Sequence, residues 1–208
     1  MRRSLGVALA LAGLVLSGWT LAAAGPARAQ TEWKRVHLED ETTLDIPGVV
    51  GDEFGVPPEL ASQGDLMFFS VMAGQQGLLD CLLKRTRYGP GLPALPSHDD
   101  MVATLKAERR ISLCIGRGTN RRQAINEGGT LKGYPSGRCV VGYTDEGQDD
   151  PANPGVGRVL DTLVIASSGA YYTLACTLRA ADQRTAEREW FNDWRAVIQH
   201  MQGSLVVP

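Results

Sequence analysis

The stretch LKGYPSGRCVVGY, residues 131–143, holds the residue types most suggestive of chemistry in this 208-residue chain. A hydrolase with a nucleophile elbow needs G-x-S-x-G at a turn from strand to helix. Here the order is G-x-x-S-G, and the residues after Ser136 predict a strand, so both the offset and the context differ. The three histidines have no recognisable partner motif. We therefore expect no catalytic residue here, and Arg138 remains as a candidate for binding.

Arginines offer a second kind of chemistry, the binding of an anion. Arg121 and Arg122 occupy the segment GRGTNRR, and Arg138 follows further along the chain. A guanidinium group presents a fork of donors that suits carboxylate and phosphate groups. Solvation alone also explains an arginine-rich loop, so ligand binding by these three residues is one of two open interpretations.

Acidic residues raise the question of a metal. The polar loop DEGQDDPANPGVG contains four acids with a calcium-like composition, Asp145, Glu146, Asp149 and Asp150. Their order lacks the alternation of a calcium-binding loop, and the chain has no HExxH motif. CxxC and CxxCH are absent too, which removes a zinc knuckle and covalent c-type haem. We expect neither a metal nor any other cofactor, with this loop as the weaker alternative.

The four cysteines are Cys81, Cys114, Cys139 and Cys176. An even count in an exported protein favours disulfide bonds over free thiols. Cys81 and Cys114 flank a predicted helix, and their pairing is our tentative choice. If a strand at 159–166 separates the strands of Cys139 and Cys176, those two lie about 10 Å apart, too far to bond.

The first 29 residues predict a signal peptide. Arg2 and Arg3 form a basic start, residues 5–16 are apolar, and Ala-Arg-Ala at 27–29 supplies a cleavage pattern. A retained membrane anchor is the alternative, but glycine, serine and threonine dilute the apolar run. We expect cleavage after Ala29, no permanent anchor, and a periplasmic or secreted location.

The remaining residues, 30–208, suit a single domain by length. Without the leader's three arginines the chain has 18 basic residues against 23 acidic ones. Such a surface repels nucleic acid and provides no polybasic patch for a membrane. The partner is therefore expected to be a protein or a small molecule.

The predicted elements form an antiparallel sheet with at least two packed helices, which is an α+β domain. Apolar alternation and turn residues predict strands, and an N-cap serine and three- and four-residue apolar spacings predict two helices. The predicted elements are an extended entry at 31–46, a hairpin from 66–72 and 78–86, a helix at 97–110, a strand at 129–144, a hairpin from 159–166 and 171–179, and a closing helix that ends at Gly203. The aromatic residues of that helix, Trp190, Phe191 and Trp194, are expected on its core face.

The order of these pieces resembles the PsbP-like fold group. The segments that carry the resemblance are 45–48 (DIPG), 66–86, 97–110, 131–138 (LKGYPSGR), 171–174 (YYTL) and 190–205. The resemblance implies a central antiparallel sheet flanked by helices, an α/β/α sandwich. It also implies an accessory or binding module without catalytic residues of its own. The cysteines lie outside the shared pattern.

Together these features predict an exported, non-enzymatic accessory or binding protein of the bacterial cell envelope. The alternative is a small periplasmic enzyme of the hydrolase type, whose site assembles from residues distant in sequence. The two differ in geometry. The enzyme would bring Arg138, a histidine and an acid within hydrogen-bond reach in one pocket.

Overall fold

The structure, a computed structural model, describes residues 32–38, 40–48, 64–73, 77–89, 99–100, 119–145 and 156–208. Its strands are β1 (Trp33–His37), β2 (Thr43–Pro47), β3 (Asp65–Ala73), β4 (Gly77–Arg87), β5 (Thr119–Leu131), β6 (Tyr134–Asp145), β7 (Val156–Ala166) and β8 (Ala170–Ala180). Its helices are α1 (Gln183–Glu189) and α2 (Arg195–Ser204), joined by a π-helical turn (Trp190–Trp194). The predicted helix at 97–110 lies outside the described residues apart from two helical aspartates, Asp99 and Asp100.

Strands β1 and β2 form a separate two-stranded hairpin. The expectation of one extended segment at 31–46 is therefore wrong, because the chain reverses direction between Leu38 and Thr42. The Leu38 amide donates to the Thr42 carbonyl, and the Asp40 carboxylate accepts from the Thr42 amide at 3.2 Å. Glu41 adopts a φ of 66°, which the turn requires.

The other six strands form one antiparallel sheet in the order β3-β4-β8-β7-β6-β5. The predicted hairpins β3–β4 and β7–β8 are confirmed. The predicted single strand at 129–144 is wrong, because the chain turns at Lys132 and Gly133, whose φ angles are 52° and 90°. Arg121 and Arg122, expected in a loop, lie in β5.

The C-terminal helical segment packs across β6, β7 and β8. Asp182 caps its start by accepting a hydrogen bond from the Thr185 amide at 2.9 Å. Two glycines allow the close approach of helix and sheet. A Cβ at Gly157 would collide with the backbone of Asp182, and a Cβ at Gly142 would lie 2.5 Å from a carboxylate oxygen of Glu187.

The hydrophobic core lies between the sheet and the layer made by the helices and the β1–β2 hairpin. Directly paired residues of neighbouring strands share a face, so Leu79, Leu178 and Val159 form one row across the sheet. The opposite face is also buried at Cys139, Val141 and Val164. The described part is thus mostly antiparallel sheet with helices on one face. No helix in the described ranges is long and apolar enough to cross a membrane.

One disulfide bond joins Cys81 on β4 to Cys176 on β8, where the two residues are direct cross-strand partners. The expected disulfide is therefore confirmed, but the tentative pairing of Cys81 with Cys114 is wrong because β4 lies beside β8. Cys139 is also disulfide-bonded, and Cys114 lies outside the described residues. The expectation that β7 separates the strands of Cys139 and Cys176 is confirmed.

Candidate functional site

The carboxylate of Asp161 is the centre of a polar cluster in the core. Asp161 lies on β7 and is 0% exposed. Val140 is its partner on β6, and Arg138 is the partner of Leu163, so Arg138 and Asp161 are diagonal neighbours on the core face. The Arg138 guanidinium donates through Nε at 3.0 Å and through Nη2 at 2.7 Å, one bond to each carboxylate oxygen.

Two side chains from the helical segment complete the cluster. The Trp190 indole donates to Asp161 Oδ2 at 3.1 Å, and the Gln202 amide donates to Oδ1 at 2.8 Å. Each carboxylate oxygen therefore accepts two hydrogen bonds, which compensate the charge for its removal from water. A carboxylate with all its acceptor positions engaged has no free position for a reacting group. The cluster fastens the helices to the sheet.

The π-helical turn allows Trp190 and Gln202 to reach the same carboxylate. In a regular α-helix each residue advances by about 100°, so residues twelve positions apart point about 120° away from each other. In the turn, the Arg195 amide donates to the Trp190 carbonyl, five residues back, so the turn contains one additional residue. Trp190 and Gln202 are therefore separated by the equivalent of eleven α-helical positions. Their side chains then point in directions only about 20° apart.

The same turn places Phe191 on the solvent side. Trp190 is buried and Trp194 is partly buried, as expected, but Phe191 is 61% exposed, so its predicted place on the core face is wrong. The Arg195 guanidinium carbon lies 5.5 Å from the Phe191 ring centre and 5.8 Å from that of Trp190. Both distances fit cation–π contacts. Arg184 and Arg188 are exposed on α1.

The arginines proposed for anion binding contact different acids. Arg138 is paired with Asp161 and has Glu127 within 3.9 Å, and little of its side chain is exposed. Arg122 is exposed on β5 and lies 3.8 Å from a carboxylate oxygen of Glu187 on α1. Arg121 is exposed as well. Arg122 thus adjoins the start of the helical segment, while Arg138 lies beneath that segment.

Of the four acids in the loop proposed as a metal site, Asp145 alone lies in the described residues, and it pairs with Arg158. Glu146, Asp149 and Asp150 lie outside the described residues. In the part of the chain that the structure describes, no three histidine, cysteine, aspartate or glutamate side chains converge as metal ligands would.

A histidine and an acid do meet, but away from Arg138. The His200 ring stacks on Trp33 with the ring centres 3.8 Å apart, and its Nε2 lies 3.3 Å from Asp45 Oδ2. The Arg35 Nε donates to Asp45 Oδ1 at 2.6 Å, and this hydrogen bond is the main reason that the pKa of Asp45 is lowered. These contacts join the β1–β2 hairpin to α2.

Sequence reasoning missed Asp161 and Gln202. The signal for Asp161 was present, because it is the single acid inside the apolar run VLDTLVIA of β7. A charged residue between apolar neighbours on a doubly covered strand is almost never buried without a partner. Gln202 has no such signal, because a polar residue near a helix end is ordinary on a surface.

No protein-family model matches the sequence, and no curated protein matches it. Among solved structures, the Ran-binding protein Mog1p of Saccharomyces cerevisiae is similar with a TM-score of 0.52 and 8% identity, over 85% of this chain and 96% of that one. LpqN of Mycobacterium tuberculosis, involved in cell envelope biogenesis, gives 0.42 and 17%, over 85% and 91%. Cyanobacterial PsbP from Synechocystis gives 0.48 and 14%, over 90% and 99%. The likeness to Mog1p shows a shared fold, and the PsbP-like resemblance is confirmed at that level.

Proposed function

We propose that the chain is an exported, non-enzymatic accessory or binding protein of the bacterial cell envelope. Residues 1–29 are its signal peptide, and residues 30–208 form one α+β domain. The observation that carries the proposal is the arrangement around Asp161. Asp161, which is fully buried, binds Arg138 and two helix side chains, while Phe191, Arg184 and Arg188 of the helical segment are exposed.

Export is supported by the disulfide bond. Cys81 and Cys176 are both 0% exposed and link two central strands. Such structural disulfides persist in oxidising compartments such as the periplasm and are rare in the cytosol. This observation agrees with the signal-peptide pattern at the start of the sequence.

A second helical layer completes the proposed sandwich. Cys139, Val141 and Val164 are buried on the face of the sheet opposite to α1 and α2. The helix predicted at 97–110 is the candidate for that layer, and Asp99 and Asp100 at its start are helical.

The partner is proposed to be a protein. Mog1p, which has the same fold, is a Ran-binding protein, so this fold is compatible with protein binding. The side chains exposed on the helical segment, a phenylalanine and several arginines, are also types enriched in protein interfaces.

The test is affinity purification of the full chain from the native host's envelope after chemical crosslinking in intact cells. We expect processing after Ala29, shown by the N-terminal sequence, and a stoichiometric protein partner identified by mass spectrometry. The control is the same chain without residues 1–29, which stays in the cytoplasm and should not recover the partner. Residence of the full chain in the cytoplasm, or recovery of no partner, would refute the proposal.

A further inference from the structure

We propose that the exposed side of the C-terminal helical segment is the docking surface for a protein partner, and that the partner's contacting segment is acidic and carries an apolar side chain. This inference rests on the proposed function and adds the place and the chemistry of recognition. We call the surface the arginine–phenylalanine face. It consists of the exposed residues Arg184, Arg188 and Phe191 and the partly buried Arg195.

The spacing of these residues places them together. They recur at intervals of four, three and four positions, and residues three or four apart are neighbours on a helix surface. The contact between Arg195 and Phe191 shows this directly. Phe191 has the largest exposed fraction of the large apolar side chains in the described ranges, 61% against 38% for Phe68 and 39% for Val206.

Phe191 directly follows a residue that is anchored in the core, and its ring contacts Arg195. Its neighbour Trp190 is buried and bound to Asp161, and the Arg195 guanidinium lies near both rings. A single exposed phenylalanine is ordinary on a protein surface. Here the ring belongs to a π-helical turn, an element found frequently at functional sites. A phenylalanine side chain has few rotatable bonds, so it loses little conformational entropy on binding. This property suits the anchor residue of an interface.

The charge of the face selects an acidic segment. Glu187 lies four positions before Phe191 and is therefore the acid nearest to the face. Its carboxylate accepts a hydrogen bond from Gln183 at 2.9 Å and pairs with Arg122 at 3.8 Å. The pKa of Glu189 is raised, mainly by burial and then by Asp193, so these two acids lie close together. Arg188 lies near enough to Glu189 and Asp182 to act toward a lower pKa at both carboxyl groups, but it is exposed, as is Arg184, and the donor fork of an exposed arginine matches a partner's carboxylate. An anionic membrane is disfavoured because residues 30–208 contain 18 basic residues against 23 acidic ones.

The test places a photoreactive phenylalanine analogue at position 191 of the full chain in the native host. The matched control carries the analogue at position 68, an exposed phenylalanine on edge strand β3. We expect position 191 to crosslink to a protein, and mass spectrometry to map the crosslink to a segment with acidic residues beside an apolar one. Introducing Arg188→Glu and Arg195→Glu should lower the yield about tenfold, the size expected for losing interface anchors. Arg87→Glu, an exposed arginine on β4, should leave the yield unchanged.

Each other outcome overturns the inference. A crosslink from position 68 but not from position 191 would refute the proposed location of the docking surface. The proposed function would still stand. A crosslink from 191 to phospholipid, or to a segment without acids, refutes the partner's chemistry, as does a yield indifferent to the arginine substitutions. Failure at both positions, together with failed affinity purification, removes the proposed function itself. Thermal unfolding of each variant checks that the exposed substitutions leave the fold intact.

Discussion

Trp190 and Gln202 lie twelve positions apart in the chain and donate hydrogen bonds to the two oxygens of the same buried carboxylate, that of Asp161. This relationship fixes the rotation of the helical segment about its own axis. Apolar packing alone would tolerate small rotations, because contacts between apolar surfaces have little directionality. The two hydrogen bonds from Trp190 and Gln202 select one orientation of the helical segment and thereby decide which of its side chains face solvent.

The first prediction concerns the buried pair of Arg138 and Asp161. Arg138→Met and Asp161→Asn should each lower the free energy of unfolding by about 3–5 kcal/mol, because each leaves a buried charge without its partner. Urea unfolding of both single variants and the double variant gives the coupling between them, which should exceed about 0.5 kcal/mol. Arg35→Met breaks the exposed pair with Asp45 and should lower the free energy of unfolding far less, because solvent screens an exposed pair. Equal losses at both pairs would contradict the structural role of Asp161.

The second prediction concerns the disulfide bond. Replacing Cys81 and Cys176 together by alanine should lower the free energy of unfolding by about 2–5 kcal/mol, because the bond closes a long loop in the unfolded chain. Peptide mapping of the oxidised protein should recover Cys81 linked to Cys176. It should also recover Cys139 in a disulfide-linked peptide. A peptide that links Cys81 to Cys114 would contradict the strand order.

The third prediction concerns acid stability of the β1–β2 hairpin. A hydrogen bond from Arg35 lowers the pKa of Asp45. Burial raises the pKa of Asp40, but hydrogen bonds from Thr42 and Tyr172 outweigh it, so the pKa of Asp40 is lowered as well. A carboxyl group with a lower pKa when folded stabilises the fold above its unfolded pKa of about 3.9. That stabilisation is lost as the pH falls through the folded value.

We therefore expect the free energy of unfolding to decline below about pH 4. Denaturant titrations at several pH values should show the decline, and Asp40→Asn with Asp45→Asn should make it shallower. A decline of the same steepness in this double variant would assign acid sensitivity to other groups.

The fourth prediction concerns Glu189, whose Oε2 is buried without a hydrogen-bond partner. Burial and then the neighbouring Asp193 raise its pKa, so holding this carboxylate ionised opposes folding at neutral pH. Glu189→Gln should raise the free energy of unfolding by about 0.5–1 kcal/mol at pH 7. The gain should disappear below pH ~4, where the carboxyl is protonated in both states. Glu32→Gln, at an exposed position, is the matched control.

The elements with simple periodicity were predictable from sequence. Apolar and strand-forming residues predicted β3, β4, β7 and β8. Apolar residues at three- and four-residue spacings predicted the closing helix. The turn at Lys132 and Gly133 was missed because strand-forming residues flank it on both sides, and only a lysine–glycine pair marks the reversal. The reversal between Leu38 and Thr42 was missed for a similar reason, since its Asp40 turn lacks glycine and proline.

The features that depend on tertiary contacts were not predictable. The partner of Cys81 follows from the pairing of β4 with β8, strands whose cysteines are 95 residues apart. The exposure of Phe191 follows from the additional residue in the π-helical turn, and three- and four-residue spacing places that same residue on the core face. To predict the partner of Arg138, one would have to know the register of β6 and β7, which makes Asp161 its diagonal neighbour.

The bridge between Thr43 and Val206 has a consequence for when the fold can be completed. The two backbones exchange hydrogen bonds of 3.0 and 2.9 Å, and the Asp45 amide donates to the Ser204 hydroxyl at 2.9 Å. The early hairpin therefore docks only after Ser204 and Val206 have emerged from the ribosome, long after its own two strands. An affinity tag inserted beside Val206 would disturb that bridge, so a tag placed elsewhere is the safer choice for every experiment described above.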